Sequence, residues 1–312
     1  MIFMETATVL CLALGVDWAL GDPPNRWHPV AWMGRLVAAG KFPALGPPWL
    51  ELLWGAGVVT IGLIVVVIPF IAVQKALGAL PFVLRLLLEA LILKLAFSLR
   101  GLCQAAGGVQ RALGAGDLEL ARTLVGRDLV SRPTDTLSAP LVASAAVESV
   151  AENLTDSVVA PLGFYLAFGL PGAYAYRFVN TADAMIGHRD AGHEHLGKVA
   201  ARLDDLLNFI PARLAALSLV LASALAGARA LGAWRIMWGH HVRTASPNAG
   251  WTMAAMAGAL GVTLEKPGHY QLGLGPLPGP HAIGRAVRLV QLATLLPVLV
   301  TVALAWGVGR HG

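Results

Sequence analysis

The residues best suited to chemistry lie in one apolar segment, Val142–Pro161, which carries three carboxylates at four-residue spacing. On an α-helix, Glu148, Glu152 and Asp156 would lie along one face, where like charges repel one another. An ionised carboxylate in apolar surroundings also carries a desolvation cost of roughly several kcal/mol. Since local stability does not account for this stripe, the spacing predicts a bound cation or a substrate rich in hydrogen-bond donors.

Two more polar groups follow, and residues 144–208 hold eight of the eighteen acidic residues. In the first group Asn180 and Asp183 have i, i+3 spacing and precede His188, so the pair can share a helix face. Oxygen-rich sets of this kind suit Mg²⁺, and interspersed arginines suit phosphate or carboxylate. For the second group an ion-paired, solvated helix face is an equally good interpretation. That second group is Arg202, Asp204, Asp205, Asn208 and Arg213, with Asp204 and Asn208 at i, i+4.

Two weaker motifs lie close together in the chain. Gly192–Val199 matches the first part of a phosphate-binding P-loop, but Val199 stands where Ser or Thr is required and no apolar strand precedes it. We therefore expect no P-loop, and keep Lys198 as a candidate anion contact. Three histidines lack cysteine partners and the spacing of a zinc site, and we interpret them as loop residues. They are His188, His193 and His195.

The elements that must position these groups are predicted to be membrane helices. Of the 312 residues, 56% are hydrophobic and 13% are charged, about half the usual charged fraction. A bilayer-spanning helix needs roughly 20 mostly apolar residues. The clearest windows are Leu52–Val73, Leu206–Leu231 and Ala286–Val308, whereas Ile2–Leu20 and Pro81–Leu99 are interrupted by charges. No convincing run of strands is found. We predict an all-α polytopic integral membrane protein with about four or five transmembrane helices.

Local signals refine this prediction. Arg85 and Glu89 lie at i, i+4 and can pair on an amphipathic helix, and Asp117 is a helix cap before Leu118. We expect one membrane domain, 1–312, whose polar catalytic segments, approximately 100–208 and 240–280, lie between the membrane helices.

Charge and cysteine use bear on partners and location. The net charge is +5, and basic residues are dispersed, so we expect no nucleic-acid partner. The excess of basic residues near membrane helices places Arg100–Arg132 and Arg177–Arg202 on the cytoplasmic side of a cytoplasmic membrane. Cys11 and Cys103 lie in apolar sequence, so no disulfide is expected.

Two strings near the chain ends combine turn-forming and polar residues. Gly21–Gly34 contains Asp22 and His28 between prolines, and Ser246–Gly250 contains Ser246 and Asn248. Taken alone, each string is better interpreted as caps and turns than as a site.

In their order along the chain, these strings resemble the adenosylcobinamide-phosphate synthase family of cobalamin biosynthesis, also called CobD or CbiB. The resemblance covers about residues 15–275. Ala182 and Ala184 depart from the family's NT-L-DSM pattern, and Phe178 stands where a small residue is common. The matching strings are Gly21–Gly34, Gly126–Leu129, Glu148–Leu162, Tyr176–Arg189, Leu196–Leu214 and Ser246–Gly250.

The resemblance implies an integral membrane enzyme that forms an amide with ATP and Mg²⁺. The propionate carboxylate of adenosylcobyric acid would be joined to (R)-1-amino-2-propanol or its O-phosphate, giving adenosylcobinamide or its phosphate. A homo-oligomer is left open.

The roles implied for individual residues fall into three sets. Metal binding or base catalysis is assigned to Glu148, Glu152, Asp156, Asp183, Asp204 and Asp205. Phosphate binding is assigned to Arg127, Lys198, Arg202 and Arg213, and Asp128 is assigned to the combined substrate and phosphate site. Substrate or nucleotide binding is assigned to Asp22, His28, Asn153, Asn180, Asn208, Ser246 and Asn248.

A second hypothesis belongs to a different class. The related AmpE-like proteins are described as sensory, and a non-catalytic scaffold or a transporter with the acidic stripe as its ion path also fits the composition. The combined acid and asparagine set favours the synthase, because a scaffold has no need of it.

Overall fold

The computed structural model describes the backbone of residues 2–41, 46–187 and 195–311, and the side chains of residues 4–41, 46–187 and 195–303. His188, His193 and the first residues of the Gly192–Val199 string lie outside the described residues. The helices in chain order are α1 Ile2–Leu20, α2 Pro29–Gly40, α3 Pro48–Gly78, α4 Phe82–Lys94, α5 Leu99–Gly114, α6 Leu118–Asp128, α7 Ala139–Leu154, α8 Ala160–Ile186, α9 Lys198–Leu207, α10 Phe209–Leu225, α11 Ala230–His240, α12 Ala249–Leu260 and α13 Pro280–His311. A π-helical turn, Thr155–Val159, follows α7, and a 3₁₀ turn, His241–Arg243, follows α11.

The chain forms two compact units. Unit 1 comprises Met1–Ser98, Ala160–Asn208 and Leu304–Gly312, and unit 2 comprises Leu99–Val159 and Phe209–Ala303. The prediction that the whole chain works as one membrane domain, with polar segments between its spans, stays a prediction.

The predicted all-α class is confirmed, and the structure adds one hairpin in unit 2. Strands β1 Leu264–Lys266 and β2 Tyr270–Leu272 pair antiparallel, with Leu264 opposite Leu272. Gly268 lies in the connecting turn at φ +74°, a conformation that glycine adopts without strain. Three-residue strands are too short to show an alternating pattern, which is why the sequence did not reveal them.

Three helical stretches are long and apolar enough to cross a membrane within the described residues. They are Pro48–Gly78, Ala139–Ile186 and Pro280–Ala303, and the pair Lys198–Leu207 with Phe209–Leu225 makes a fourth if counted as one broken span. The chain is therefore membrane-associated. The windows at Leu52–Val73, Leu206–Leu231 and Ala286–Val308 fall on these stretches. Ala139–Ile186 was not among the predicted windows because its polar residues hide its apolar character.

The two interrupted windows form α1 and α4, which pack against each other in unit 1. Their charges explain the pairing. Arg85 of α4 pairs with Glu5 of α1, and the Lys94 ammonium lies 3.4 Å from Asp17. Glu89 instead accepts a hydrogen bond of 2.8 Å from the Tyr165 hydroxyl, so the predicted pairing of Arg85 with Glu89 is replaced by contacts between helices. The predicted Asp117 cap is confirmed, since its carboxylate accepts from the Leu120 amide at 3.0 Å.

Helix α8 packs along α3 in unit 1, and a glycine makes the close approach possible. Phe178 of α8 is fully buried, and a Cβ at Gly62 of α3 would lie 2.0 Å from its ring. Only a residue without a side chain leaves room for this ring. Phe178, which stands where the family commonly has a small residue, is thus accommodated by Gly62 of the same unit.

A kink divides α8 near its middle. Gly169 has φ +67°, and the Leu170 amide beyond it donates to the Gln74 side chain of α3 at 3.0 Å. The backbone group that the kink frees from the helix is therefore satisfied by a neighbouring helix. The second half of α8 carries Asn180 and Asp183 toward α9, against which α8 packs.

Candidate functional site

Many of the predicted site residues fall into four groups, two in each unit, and the others are described beside them. Unit 1 contains the Asp204 clamp and the Asp22 cluster, and unit 2 contains the Glu148 cluster and the Arg213 group, each defined below. The structure gives every group its own set of partners, and these partners indicate what each carboxylate or guanidinium is able to bind.

The Asp204 clamp consists of Asp204, Asn180, Asn208, Tyr176 and Arg177. The Asn180 amide donates to Oδ1 of Asp204 at 3.2 Å, and the Asn208 amide donates to Oδ2 at 2.9 Å. The Tyr176 hydroxyl donates to the Asn208 oxygen at 2.9 Å, and Arg177 donates to the Asn180 oxygen at 3.3 Å. The predicted pairing of Asp204 with Asn208 across one helical turn is confirmed. Both carboxylate oxygens thus accept from neutral amides, and the orientation of each amide is fixed by a donor to its own oxygen, Tyr176 for Asn208 and Arg177 for Asn180.

The other polar residues of this region have different surroundings. Arg202 is exposed, and its guanidinium lies 3.9 Å from Asp205. These two residues form the ion-paired helix face that was the alternative interpretation of this group. Lys198 is exposed at the start of α9, and Asp183 is half-buried on α8, one turn beyond Asn180. Adjacent residues of α9 therefore differ in role, because Asp205 faces an arginine while Asp204 faces the two asparagines.

The Glu148 cluster consists of Glu148, Ser144, Arg132 and Tyr270. Glu148 is buried and accepts from the Ser144 hydroxyl at 2.8 Å, the Tyr270 hydroxyl at 2.9 Å and the Arg132 guanidinium at 3.4 Å. Burial and the adjacent Glu148 charge raise the pKa of Tyr270 above its ordinary value, so Tyr270 stays a donor. Ser144 in turn accepts from the Glu265 amide at 2.7 Å, which ties α7 to the hairpin. This carboxylate is compensated by an arginine.

The rest of the acidic stripe leads into the π-helical turn. Glu152 and Asp156 are half-buried, one on α7 and one within Thr155–Val159. Asn153 donates to the Ser149 carbonyl at 3.0 Å and accepts from Ser157 at 2.8 Å. A π turn widens the helix by its i→i+5 bonding. Asp156 therefore does not lie on the same helix face as Glu148 and Glu152, although it follows them at four-residue spacing. Such turns occur frequently at functional sites.

The Asp22 cluster consists of Asp22, Asp17, Lys94, Ser98 and His28. Asp22 accepts from Lys94 and, at 2.5 Å, from Ser98, and Nε2 of His28 lies 3.6 Å away. Burial alone would raise the pKa of Asp22, but the hydrogen bonds from His28, Lys94 and Ser98 outweigh it and hold that pKa well below its ordinary value. Nδ1 of His28 accepts from the Val30 amide and caps α2. The predicted turn-and-cap interpretation of this string is confirmed.

The Arg213 group joins the second turn string to α10. Arg213 donates to the Asn248 side-chain oxygen at 2.8 Å and stacks on Phe209 and Trp251, with its guanidinium carbon 3.7 Å and 4.8 Å from the two ring centres. Ser246 accepts from the backbone amide of Asn248 at 3.2 Å. Ser246 and Asn248 therefore shape the start of α12, and Asn248 also holds the guanidinium.

Arg127 and Asp128 form a pair at the end of α6. Two nitrogens of Arg127 donate to the two Asp128 oxygens, both at 2.7 Å, and the arginine is exposed. A phosphate would have to compete with this bidentate contact.

The described residues offer no group of three or more His, Cys, Asp or Glu side chains that could hold a metal ion. Glu148 is also occupied by three donors. The predicted magnesium set is therefore not assembled in the described part of the chain, and magnesium stays a prediction.

Several central residues were not singled out from the sequence. Lys94 was taken only as an interruption of an apolar window, and Tyr176, Arg132 and Tyr270 carried no motif of their own. Tyr270 lies 122 residues from Glu148 and Lys94 lies 72 residues from Asp22, so no local spacing connects them. A buried lysine in an apolar window was the one available signal, because such a residue requires an acidic partner.

The fold and its buried polar clusters define a class: a membrane-associated, all-helical protein with polar sites built between its helices. The family model described as CobD/Cbib protein matches residues 10–290, so the chain belongs to the CobD/CbiB family.

Its relatives match over almost their whole length. The cobalamin biosynthesis protein CobD of Dehalococcoides mccartyi is 42% identical over 306 residues, covering 97% of this chain and 98% of the relative. The probable cobalamin biosynthesis protein CobD of Methanothermobacter thermautotrophicus is 40% identical, covering 97% and 98%. The CobD protein of Chromobacterium violaceum is 41% identical, covering 98% and 99%. No solved structure gives a significant match.

Proposed function

We propose that this protein acts in cobalamin biosynthesis as an ATP-dependent amide ligase. It would join the propionate carboxylate of adenosylcobyric acid to (R)-1-amino-2-propanol or its O-phosphate and release adenosylcobinamide or its phosphate. The observation that carries the proposal is the 42% identity to a cobalamin biosynthesis protein over 97% of the chain.

The reaction requires that a poor acylating agent be activated. ATP transfers its terminal phosphoryl group to the substrate carboxylate, which gives an acyl phosphate and ADP. The amine nitrogen then attacks the carbonyl carbon, a C–N bond forms, and the C–O bond to phosphate breaks. Negative charge develops on the phosphoryl oxygens, where cationic side chains stabilise it, and the attacking nitrogen must lose protons.

The described residues support a division of these tasks. Cationic groups for phosphate are available in exposed Lys198 and Arg202, and in half-buried Arg213. Half-buried Glu152 and Asp156, beside the π-helical turn, are the acidic residues of the stripe that a substrate is able to reach, since Glu148 is buried. Magnesium would arrive with the nucleotide, and no step here depends on a metal held by the protein alone.

We place the reaction at a cytoplasmic membrane, with the polar segments on the cytoplasmic side. The basic residues of Arg100–Arg132 favour that orientation under the positive-inside rule. ATP is also supplied on that side.

The test is a complete reaction with protein purified in detergent. Adenosylcobyric acid, aminopropanol phosphate and MgATP are added, the amide product is followed by mass spectrometry, and ADP is counted. Amide and ADP formed in equal amounts establish the ligase, and a parallel reaction with the unphosphorylated amine identifies the preferred substrate. Folded, monodisperse protein that forms neither product contradicts the proposal and favours a scaffold or a transporter.

A variant sharpens this test. Glu152→Gln should abolish amide formation while the protein remains folded, because it removes an acid at the accessible part of the stripe. Full turnover in this variant would exclude Glu152 from the reaction.

A further inference from the structure

The Asp204 carboxylate is held by two neutral amides rather than by a contacting cation. Its two oxygens accept from the amides of Asn180 and Asn208, and no Lys, Arg or His nitrogen lies within 4 Å of it in the described part of the chain. The two arginines nearest in the sequence contact other side chains. Arg177 donates to Asn180, and Arg202 lies against Asp205. Arg177 acts on Asp204 electrostatically without contacting it, so no cation of the described residues blocks the approach of a ligand to the Asp204 oxygens.

The carboxylate also has acceptor capacity left. An ionised carboxylate offers about four lone-pair positions on its two oxygens, and the two amides use two of them. Asp204 is half-buried, so the remaining positions are within reach of a ligand. An ionised carboxylate only accepts hydrogen bonds, so the ligand has to be a hydrogen-bond donor.

The two amides are fixed so that they have to donate. The Tyr176 hydroxyl donates to the Asn208 oxygen, and Arg177 donates to the Asn180 oxygen, so each amide presents its NH₂ group to Asp204. If either amide turned over, its oxygen would face the carboxylate and its NH₂ group would face a donor. Tyr176 is fully buried, which leaves its hydroxyl few alternatives. Tyr176 and Arg177 are thus positioning residues for the carboxylate.

A primary ammonium group matches this arrangement better than a magnesium ion does. Mg²⁺ demands near-octahedral oxygen ligands at about 2.0–2.1 Å and is commonly held with phosphate oxygens and water. The described residues provide no three-ligand acidic group here. An ammonium group carries three N–H donors and needs only free lone pairs on a negative partner.

We propose that the Asp204 clamp binds the ammonium group of the amine substrate and orients its nitrogen for attack, an inference that rests on the proposed ligase function. The amine arrives protonated, because an alkylamine has a pKa near 10. The ammonium nitrogen has no lone pair, so it first gives one proton to water and then attacks the acyl phosphate carbonyl as the free amine. The second proton leaves the nitrogen with the departing phosphate.

The test separates amine binding from the other substrates. Steady-state amide formation is measured with the amine varied and the corrinoid and MgATP saturating, in wild type, Asp204→Asn and Tyr176→Phe. Asp204→Asn should raise the KM for the amine about 10- to 100-fold, the range expected for a hydrogen bond to a charged group. Tyr176→Phe should raise it about 2- to 10-fold, since it removes only a neutral hydrogen bond. The KM values for corrinoid and MgATP should stay within about twofold.

A matched control lies two residues away. Tyr174 is also fully buried on α8, and its hydroxyl donates to the Ile92 carbonyl at 2.7 Å, away from the clamp. Tyr174→Phe removes an equivalent buried hydroxyl and should leave the KM for the amine unchanged. An equal rise in Tyr174→Phe and Tyr176→Phe would overturn the positioning role. A raised KM for MgATP with an unchanged KM for the amine would overturn the inference and assign the clamp to the nucleotide.

A binding measurement distinguishes failure of this inference from failure of the ligase proposal. Calorimetry with 1-amino-2-propanol alone, on wild type and Asp204→Asn, needs no reaction. Heat in wild type that is lost in Asp204→Asn supports the clamp even if no amide forms. Equal heat in both proteins, or none in either, overturns it. Size-exclusion profiles verify that each variant is folded. If Asp204→Asn does not fold, the same comparison is made with Tyr176→Phe.

Discussion

The Asp22 cluster and the Asp204 clamp both hold a carboxylate in unit 1, but they compensate its charge differently. Asp22 is bonded to the buried Lys94 ammonium, which also lies against Asp17. Asp204 is bonded to two neutral amides. A carboxylate bonded to a buried cation is part of the structure, whereas one whose oxygens contact only neutral donors is open to a charged ligand. The comparison predicts that the first site governs stability and the second governs binding.

The largest effect is expected from Lys94→Met. This substitution leaves the buried Asp17 carboxylate and the partly exposed Asp22 carboxylate without their cation, and breaking a buried ion pair from one side costs about 3–5 kcal/mol. The free energy of unfolding in detergent, or the fraction of monodisperse protein where unfolding is not reversible, measures the loss.

A triple variant is the control for this change. Lys94→Met combined with Asp17→Asn and Asp22→Asn removes all the charges together and should recover most of the stability. Wild-type stability in Lys94→Met alone would refute the view that charge holds this cluster.

A smaller effect is expected in unit 2 from Glu148→Gln. The half-buried Arg132 loses its anionic partner, and an unsatisfied buried group costs about 1–3 kcal/mol. Thermal unfolding measures the change. Glu119→Gln is the matched control, because Glu119 pairs with Arg122 at 2.5 Å on the surface of the same unit and should contribute at most about 1 kcal/mol. Equal losses in both variants would show that burial adds nothing to the Glu148 cluster.

Acid should weaken the Asp22 cluster gradually. Since the pKa of Asp22 is lower in the folded protein than the ordinary carboxyl value of 3.8, its contribution is complete above pH 3.8 and falls as the pH is lowered toward the folded pKa. Denaturant unfolding measured between pH 6 and pH 3 checks this. Asp22→Asn should flatten the acidic part of that profile, and an unchanged slope would assign the acid sensitivity to other groups.

The smallest effect on stability is expected from Asp204→Asn. The substitution keeps the shape and removes a charge that no described cation contacts, so the free energy of unfolding should change by at most about 1 kcal/mol. A loss as large as that of Lys94→Met would remove the contrast between the two sites and make the clamp a structural element.

The sequence predicted those features whose partners are close in the chain. The apolar window Leu52–Val73 lies within α3, the Asp117 cap is present, and Asp204 pairs with Asn208 four residues later. Each depends on spacing within a single helix. The all-α class follows from the same periodic patterns.

The features that the sequence did not reveal depend on packing between distant segments. Asn180 and Asp204 were assigned to separate polar groups, yet they are hydrogen-bonded across 24 residues because α9 packs on α8. The partners of Lys94 and Glu148 are farther away still. Spacing identified which residues were chemically unusual, and only the three-dimensional packing showed which of them were already neutralised.

The contact between Gly62 and Phe178 has a consequence for comparing members of this family. Because a Cβ at position 62 would lie 2.0 Å from the Phe178 ring, position 62 has to remain glycine while phenylalanine stands at position 178. A chain with a small residue at position 178 would have space for a larger one at position 62. Transplanting the phenylalanine alone into such a chain would overfill the contact between α3 and α8.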